Sequence, residues 1–278
     1  MIRFVTYNLL NGGIDNAGPT SEERRISQVN ILKPLQADVL ALQECTGWED
    51  RDWWRLYWLA QQLDLVVFDK VQTLRRTGMS SPNWTVLLYR PERLRAVGGT
   101  PYVGHGALQH GAIRALFVDR DNADEEYRIH ATHAAWTDGG TRLHESRWFT
   151  DWAQGRSLLL GDLNSDLPTA PEPNWSNIPQ YLHSRYRLVL PDGSYGRADR
   201  RSTGNLLNAG YVDPAAHMGL KPAPTTGYWY PNEPEPQSLD HILLGAQLAD
   251  DAREHWTVDT EEARGASDHL PKVLVLAA

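Results

Sequence analysis

The chain alternates short apolar runs with polar turns that contain glycine and proline. Nine runs of five to nine residues are rich in β-branched, aromatic and leucine residues, so they predict strands. They are IRFVTY (2–7), ADVLALQEC (37–45), LVVFD (65–69), TVLLY (85–89), AIRALFV (112–118), YRIHAT (127–132), SLLLG (157–161), SLDHILL (238–244) and PKVLVL (271–276). The continuous apolar run SLLLG is typical of a strand inside a covered sheet.

Other segments have the apolar spacing of helices. The predicted helices are one that follows a capping-box pattern at Thr20 and Glu23, then 53–63, 142–154 and a short one near 205–209. Frequent proline and glycine between 168 and 236 predict long surface loops around that short helix. Since helices alternate with strands and no repeat divides the chain, we predict a single layered α/β domain over residues 1–278.

Composition and charge narrow the classes of protein. The 27 basic and 35 acidic residues give a net charge of −8, which opposes non-specific attraction to a polyanion. The single cysteine, Cys45, excludes an internal disulfide and a cysteine-based zinc site. No apolar run reaches the length of a membrane span, and the amino terminus lacks the apolar region of a signal peptide. We therefore expect a soluble, cytoplasmic protein with no obligate protein partner evident.

Polar side chains that can bind metal or phosphate recur at the ends of the predicted strands. They are Asn8, Glu44, His133, Asp162, Asn164, Asp240, Asp268 and His269. Singly, each has a simpler explanation, as a turn residue or a structural histidine. Together they form a set of hard oxygen donors with two imidazoles, which suits Mg²⁺ or Mn²⁺ and the hydrolysis of phosphoesters. Asp166, beyond this set, is expected to be a loop or capping residue.

Six short motifs occur along the chain in an order that is similar to that of a known superfamily. TYNLLNG, ALQE, ATHAAW, LLLGDLNSD, SLDHILL and GASDHLPKVLVL, spread over nearly the whole chain, resemble the endonuclease/exonuclease/phosphatase superfamily. The resemblance implies a deoxyribonuclease-I-like fold, which is a four-layered α/β sandwich of two packed, mostly antiparallel or mixed sheets flanked by helices. It also implies an active site at one end of the two sheets.

The resemblance assigns roles to matching positions. Glu44 matches the principal metal-binding carboxylate, and Asn8 matches a residue that supports metal and phosphate binding. Asp162 matches the carboxylate that orients or deprotonates the attacking water, with Asn164 beside it. Leu10 departs from the branch that places a further metal-binding carboxylate there, so we expect one principal ion, Mg²⁺ or Mn²⁺.

The remaining matches are two histidines and their neighbours. Asp240 and His269 match a hydrogen-bonded carboxylate–histidine pair, in which the carboxylate should raise the pKa of the histidine. Asp268 matches a second carboxylate close to the metal, and His133 matches a phosphate contact or proton donor. His130 is three residues away on the same strand, so it should face the other way and be structural.

Four more residues are weaker candidates for substrate binding. Trp136 and Trp229 could stack on a base or an apolar leaving group, and Arg114 and Asn83 could reach a phosphate. The leading hypothesis is a Mg²⁺-dependent phosphoester hydrolase, most simply a phosphodiesterase or nuclease that attacks phosphorus with activated water. Nucleic acid, a small phosphorylated metabolite and a lipid headgroup remain open as the phosphoester substrate.

Two other classes of function stay open at this point. One is a binding or scaffold protein that has kept the fold and lost turnover; such relatives usually lose a main site residue, and none is missing here. The other is a zinc hydrolase that uses His130, His133 and His144, although these histidines lack a helical HExxH arrangement.

Overall fold

Two β-sheets make up the centre of the molecule. The computed structural model describes residues 1–14, 22–68, 83–102 and 107–277. The strands in these ranges are β1 (Ile2–Asn8), β2 (Val39–Gln43), β3 (Val66–Val67), β4 (Val86–Tyr89), β5 (Leu94–Tyr102), β6 (Ala112–Asp119), β7 (Glu126–His133), β8 (Ser157–Asp162), β9 (Arg187–Val189), β10 (Tyr195–Ala198), β11 (Asp240–Leu244), β12 (Ala252–Thr257) and β13 (Lys272–Leu276).

The α-helices lie outside these sheets. They are α1 (Glu23–Leu32), α2 (Trp54–Gln62), α3 (Gly139–Ser146), α4 (His183–Tyr186), α5 (Arg201–Ala209), α6 (Pro214–His217) and α7 (Glu261–Ala266). Across the described residues, none has both the length and the apolar character needed to cross a bilayer. Helices on the outer faces and two sheets in the middle form the predicted four-layered α/β sandwich, so the fold class is confirmed.

Strand order shows how the sheets are built. The six-stranded sheet has the order β12-β13-β1-β2-β4-β3, and the five-stranded sheet has the order β11-β8-β7-β6-β5. Neighbours are antiparallel except for the pairs β1/β2 and β7/β8, which are parallel. A separate two-stranded ribbon joins β9 to β10. In each parallel pair the two carboxyl ends lie at the same edge of the sheet.

Alternation along β8 separates the two faces of its sheet. Leu158 and Leu160 belong to the large core between the sheets, whereas Leu159 belongs to the smaller core under α5 and the segment after α3. Asp162 has the parity of Leu158 and Leu160, so it faces the space between the sheets at the strand end. The apolar run thus places a carboxylate at the rim of the central core.

The predicted strands are all present, but other predictions were wrong in detail. The predicted helix 142–154 begins at Gly139 and continues as a 3₁₀ helix over Arg147–Trp152. The segment 168–236, predicted as loops with one short helix, also contains α4, α6, β9 and β10. Strands β5 and β12 were missed because LRAVGGTPY carries two glycines and a proline and AREHWT is largely polar. Thr20, of the predicted capping box, lies outside the described residues.

Candidate active site

The polar residues at the strand ends come together at one edge of both sheets. Asn8 ends β1 and pairs in register with Gln43, so Glu44 follows at the same edge. His133 and Asp162 are directly opposite each other at the ends of β7 and β8. Asp240 begins the antiparallel strand β11 opposite Asp162. Carboxyl ends of parallel strands and amino ends of their antiparallel neighbours necessarily share an edge.

Asp162 lies at the centre of this group. Its Oδ2 is 3.0 Å from Asn8 Nδ2, 3.4 Å from His133 Nε2 and 3.7 Å from His269 Nε2. Only 1 % of Asp162 is exposed, and burial raises the pKa of its carboxyl although His269 and His133 pull it down. A carboxylate held among three nitrogen-bearing side chains and kept from bulk water is a suitable base for one bound water.

Asp240 and His269 form the hydrogen-bonded pair that the resemblance implies. His269 Nδ1 donates to Asp240 Oδ2 at 2.7 Å, and Asp240 is completely buried. Burial opposes the charge on His269, yet the carboxylates of Asp240 and Asp162 raise its pKa well above the usual value. Burial also opposes the charge on Asp240, but His269 holds the pKa of this carboxyl below its usual range. The imidazole therefore carries a positive charge near neutral pH, with Nε2 turned towards Asp162.

Local backbone geometry explains the GDLN sequence around Asp162. Gly161 has φ 149°, and a Cβ there would collide with the carbonyl of Thr132 on β7. Asn164 adopts a left-handed φ of 50°, with its amide N–H donating to Asp162 Oδ1 at 2.8 Å. Its side-chain Nδ2 donates to the Ala134 carbonyl at 3.0 Å, just after β7. Glycine permits the close strand contact, and asparagine tolerates the turn that fixes the carboxylate.

Glu44 and Asp268 have the donor chemistry of a divalent-cation site. Glu44 Oε1 is 3.3 Å from Asn8 Nδ2, and Oε2 accepts from the Asn11 amide at 3.0 Å. Burial raises the pKa of Asp268 to about 6, with Glu44 and Asp162 adding to the rise and His269 opposing it. Converging carboxylates that destabilise each other's charge are stabilised by a cation, and oxygen ligands suit Mg²⁺. The residues present therefore fit one such ion.

A second group could be taken for a metal site. Asp162, Asp240 and His269 each offer an atom within 4.8 Å of the others. However, His269 Nδ1 donates to Asp240, and the carboxylates of Asp240 and Asp162 raise the pKa of the ring, so protonation competes with metal binding at this histidine. A protonated imidazole has no lone pair for a metal. This group therefore suits proton transfer and phosphate binding better than it suits a metal ion.

His110 and Glu145 were missed by the sequence analysis. The rings of His110 and His133 are stacked, with centroids 4.2 Å apart and planes 13° from parallel. Burial, followed by the neighbouring His133, lowers the pKa of His110 to about 2, so His110 is neutral. The buried Glu145 accepts from the amides of Gln109 and Ala135, both at 2.7 Å, and so ties together the loops that follow His133 and precede His110. No local motif marks these residues, because they meet only in the fold.

Ser267 and Thr225 are two further residues that sequence reasoning missed. Ser267 Oγ donates to the Asn8 carbonyl at 2.8 Å and accepts from the His269 amide at 3.2 Å, which ties the SDH segment to β1. Thr225 Oγ1 accepts from the amides of Leu239 and Asp240 at 3.1 and 3.3 Å. Both are completely buried hydroxyls. The serine before Asp268 was the available signal, since it belongs to the quoted motif.

A cleft of about 240 Å³ opens beside the site. Glu44, Asn164, Asp268 and His269 line it together with aromatic and charged residues from the long segment before β11: Arg185, Tyr186, Trp229, Tyr230, Glu233 and Glu235. Trp136 also lines this cleft and is 43 % exposed, with the Arg185 guanidinium 4.3 Å from its ring centre. The structure thus brings both Trp136 and Trp229 next to the candidate active site.

The other weak candidates have different surroundings. Arg114 lies 4.1 Å from the Trp152 ring and pairs with Asp151, on the outer face of its sheet, so the structure does not bring it to the site. Asn83 Oδ1 accepts a hydrogen bond from Thr46 Oγ1 at 2.7 Å, and Thr46 lies two residues after Glu44 in the chain.

The three histidines of the zinc alternative do not converge. The His130 ring is stacked on Trp152 at 4.3 Å, on the opposite face of β7 from His133, as alternation predicts. His144 lies exposed on α3. The zinc alternative therefore has no geometric support among the described residues.

Comparison with known proteins was made by sequence and by structure. No protein-family model and no curated protein matches the sequence. An endonuclease/exonuclease/phosphatase from Bacteroides vulgatus has a TM-score of 0.65 at 14 % identity over 99 % of both chains. An AP endonuclease from Archaeoglobus fulgidus has 0.60 at 17 % over 100 % of both. A 3′ phosphatase from Neisseria, solved with a product DNA hairpin, has 0.63 at 17 % over 100 % of both. The predicted deoxyribonuclease-I-like fold is confirmed.

Proposed function

We propose that this chain is a Mg²⁺-dependent phosphoester hydrolase, most simply a phosphodiesterase or nuclease, in which an activated water attacks phosphorus. The convergence on Asp162 Oδ2 carries the proposal. Three side chains from different strand ends approach this single oxygen within 3.7 Å. A structural carboxylate needs only enough partners to satisfy its charge, whereas the neighbours of this one, Asn164 and His269, line a cleft together with further acidic groups.

Each side chain has a place in this chemistry. Asp162 orients the water and takes its proton, since its raised pKa makes it a better base than an exposed carboxylate. His269, charged and held by Asp240, donates to a phosphoryl oxygen, and His133 approaches from the neighbouring strand. Asn8 joins Asp162 to Glu44 and so links the water-activating and cation-binding parts. Mg²⁺ bound by Glu44 and Asp268 would supply positive charge for the developing phosphoryl charge.

The names of the structural neighbours cover both nucleases and phosphatases, including an AP endonuclease and a mannosyl-6-phosphatase from Bacteroides thetaiotaomicron. The cleft, with Arg185 stacked on Trp136, favours a substrate that presents one planar or sugar group beside its phosphate. A phosphatase or phosphodiesterase of a small metabolite or lipid headgroup is therefore the second candidate. Scaffold function without turnover is the alternative of another class.

A hydrolysis panel with and without Mg²⁺ tests the proposal. It should contain plasmid, single strands, abasic and tyrosyl-linked ends, sphingomyelin, inositol phosphates and small phosphomonoesters. We expect turnover of at least one member that EDTA abolishes, and loss of that turnover in Asp162→Asn. Equal turnover in the wild type and Asp162→Asn would contradict the assigned roles.

Calorimetric titration with Mg²⁺ separates an enzyme from a scaffold. The wild type should bind Mg²⁺, and Glu44→Ala should lose that binding. A wild type that neither binds the ion nor hydrolyses any panel member would favour the scaffold alternative.

A further inference from the structure

Lys272 is a buried lysine behind the candidate active site. It begins β13 on the six-stranded sheet, is only 6 % exposed, and its Nζ donates to Ser238 Oγ at 2.8 Å. Ser238 belongs to the segment that enters β11 of the other sheet. A lysine at a covered position is costly unless its charge is compensated. The contact therefore joins the two sheets at residues that lie two positions before Asp240 and three positions after His269 in the chain.

Asp166 holds Ser238 from the other side. Its Oδ1 accepts from the Ser238 amide at 2.8 Å, and Asp166 is only 7 % exposed. Asp166 lies in the loop after β8, as expected, and in that loop it is a buried carboxylate with a partner 72 residues further along the chain. Ser238 is thus fixed at its amide by a carboxylate and at its hydroxyl by an ammonium group, two residues before Asp240.

The charges of Lys272 and Asp240 favour each other. Burial lowers the pKa of Lys272, while Asp240, Asp213 and Asp166 oppose that effect. The two other titratable groups around it, His241 and His255, are kept neutral by burial, which lowers their pKa values to about 3 and about 4. Of the two Asp240 oxygens, Oδ2 bonds His269 and Oδ1 is buried with no hydrogen-bond partner. Lys272, bonded to Ser238 two residues before Asp240, is thus a charge that favours the ionised form of Asp240 together with His269.

We propose that Asp166 and Lys272 are positioning residues that hold Ser238 between them, fix Asp240 against His269 and, through the Lys272 charge, keep Asp240 negative. This inference rests on the proposed function, because it gives the Asp240–His269 pair a task. Loss of the charge should weaken the hold of Asp240 on the His269 proton. Loss of the Ser238 contact alone should loosen the pair without removing the charge.

Lys272→Met tests the proposal. Lys221→Met is the matched control, because Lys221 is exposed and lines, together with Lys272 and Ser238, a small cavity on this side of the molecule. Substitution of a residue that holds a functional group in place typically lowers activity by roughly 10–100-fold. We expect kcat to fall within that range for Lys272→Met and KM to change less than about two-fold. The melting temperature should fall, because removal of the ammonium group leaves the buried carboxylates of Asp240 and Asp166 without its compensating charge, so kcat is measured well below the melting temperature of the variant. Lys221→Met should match the wild type.

Two further variants separate charge from geometry. Ser238→Ala keeps the ammonium but removes its hydrogen bond, so kcat should fall less than in Lys272→Met. Lys272→Arg keeps the charge and should retain more activity than Lys272→Met. Wild-type kcat in a folded Lys272→Met, or equal losses in the Met and Arg variants, would overturn the proposal. If Lys272→Met does not fold, Ser238→Ala and Lys272→Arg still decide it: kcat should fall in Ser238→Ala and Lys272→Arg should stay active, and the reverse overturns the proposal.

An NMR measurement gives a readout that does not need turnover. The Nδ1 proton that His269 shares with Asp240 should give a downfield, slowly exchanging signal in the wild type. That signal should weaken or move upfield in Lys272→Met and persist in Lys221→Met. An unchanged signal contradicts the positioning role, whereas absence of hydrolysis in the wild-type panel contradicts only the proposed function.

Discussion

Two histidines approach the same oxygen of Asp162 from opposite sheets. His269 comes from the segment before β13, with Nε2 3.7 Å from Asp162 Oδ2, and His133 comes from the end of β7 at 3.4 Å. Behind His269, a buried carboxylate accepts the Nδ1 proton at 2.7 Å. Behind His133, Nδ1 is buried without a hydrogen-bond partner and the ring is stacked on neutral His110.

The contrast shows that the group behind an imidazole, here a carboxylate or a stacked ring, decides whether the imidazole is suited to hold a proton. A carboxylate at Nδ1 fixes the tautomer and favours the charged ring, so His269 can hold and deliver a proton. A stacked neutral ring orients His133 by packing but adds no charge to it. We therefore expect His269 to contribute more to turnover than His133, and the following experiments can break or sharpen that ranking.

The largest expected effect follows from removing the charged imidazole. His269→Gln keeps hydrogen-bonding capacity but cannot carry the proton, and we expect kcat to fall roughly 10³–10⁴-fold, near the upper range for general acid–base groups. Steady-state kinetics on the best panel substrate measure this loss, with circular dichroism as the check on folding. A loss smaller than that of His133→Gln would reverse the ranking.

A smaller loss is expected at the stacked histidine. His133→Gln should lower kcat by about 10–100-fold, because it removes one polar contact near Asp162 but leaves the Asp240–His269 pair in place. The same kinetic assay measures it. Activity indistinguishable from wild type would reduce His133 to a packing partner of His110.

The free energy of unfolding should depend on pH because His110 is neutral in the folded protein. Its folded pKa is about 2, whereas the unfolded chain takes up the proton near 6.5, so the unfolded state binds more protons between these values. Stability is therefore lost as the pH falls below about 6.5, by about 2 kcal/mol between pH 7 and pH 5 for this one group. Urea unfolding in EDTA at the two pH values measures the fall. In His110→Phe, the free energy of unfolding should fall by about 2 kcal/mol less between pH 7 and pH 5 than it does in the wild type. An equal fall in the two proteins would show that His110 is protonated in the folded state. The exposed His144→Gln serves as the control that should change nothing.

The smallest effect is expected for His110→Phe at neutral pH. Both ring nitrogens of His110 are buried without hydrogen-bond partners, and an unsatisfied buried polar group costs about 1–3 kcal/mol. His110→Phe keeps an aromatic ring against His133, so the free energy of unfolding at pH 7 should rise by about 1 kcal/mol. Activity should stay within about three-fold of wild type. Destabilisation would mean that a partner for these nitrogens had been lost.

Much of the arrangement at the strand ends is predictable from residue types. An apolar run followed by Asp162 or Glu44 predicts a carboxylate at the rim of a core, since period-two alternation sets the face and polar residues end the run. The structure brings Asn8, His133 and Asp240 to the same edge. Their catalytic roles stay predictions. Arg114, in contrast, was a weaker candidate in the sequence, and it lies against Trp152 on the other face of its sheet.

The sequence by itself determined that nine apolar segments form strands, which of their residues face the core and which polar groups stand at the rim, because these depend on neighbours a few positions apart. Only the tertiary structure decided that His110 stacks on His133, that Glu145 joins their loops, and that Asp166 and Lys272 share Ser238. These contacts join residues from separate elements, and no local pattern specifies them. They depend on the packing of two sheets, and that packing also raises the pKa of His269 and lowers that of His110.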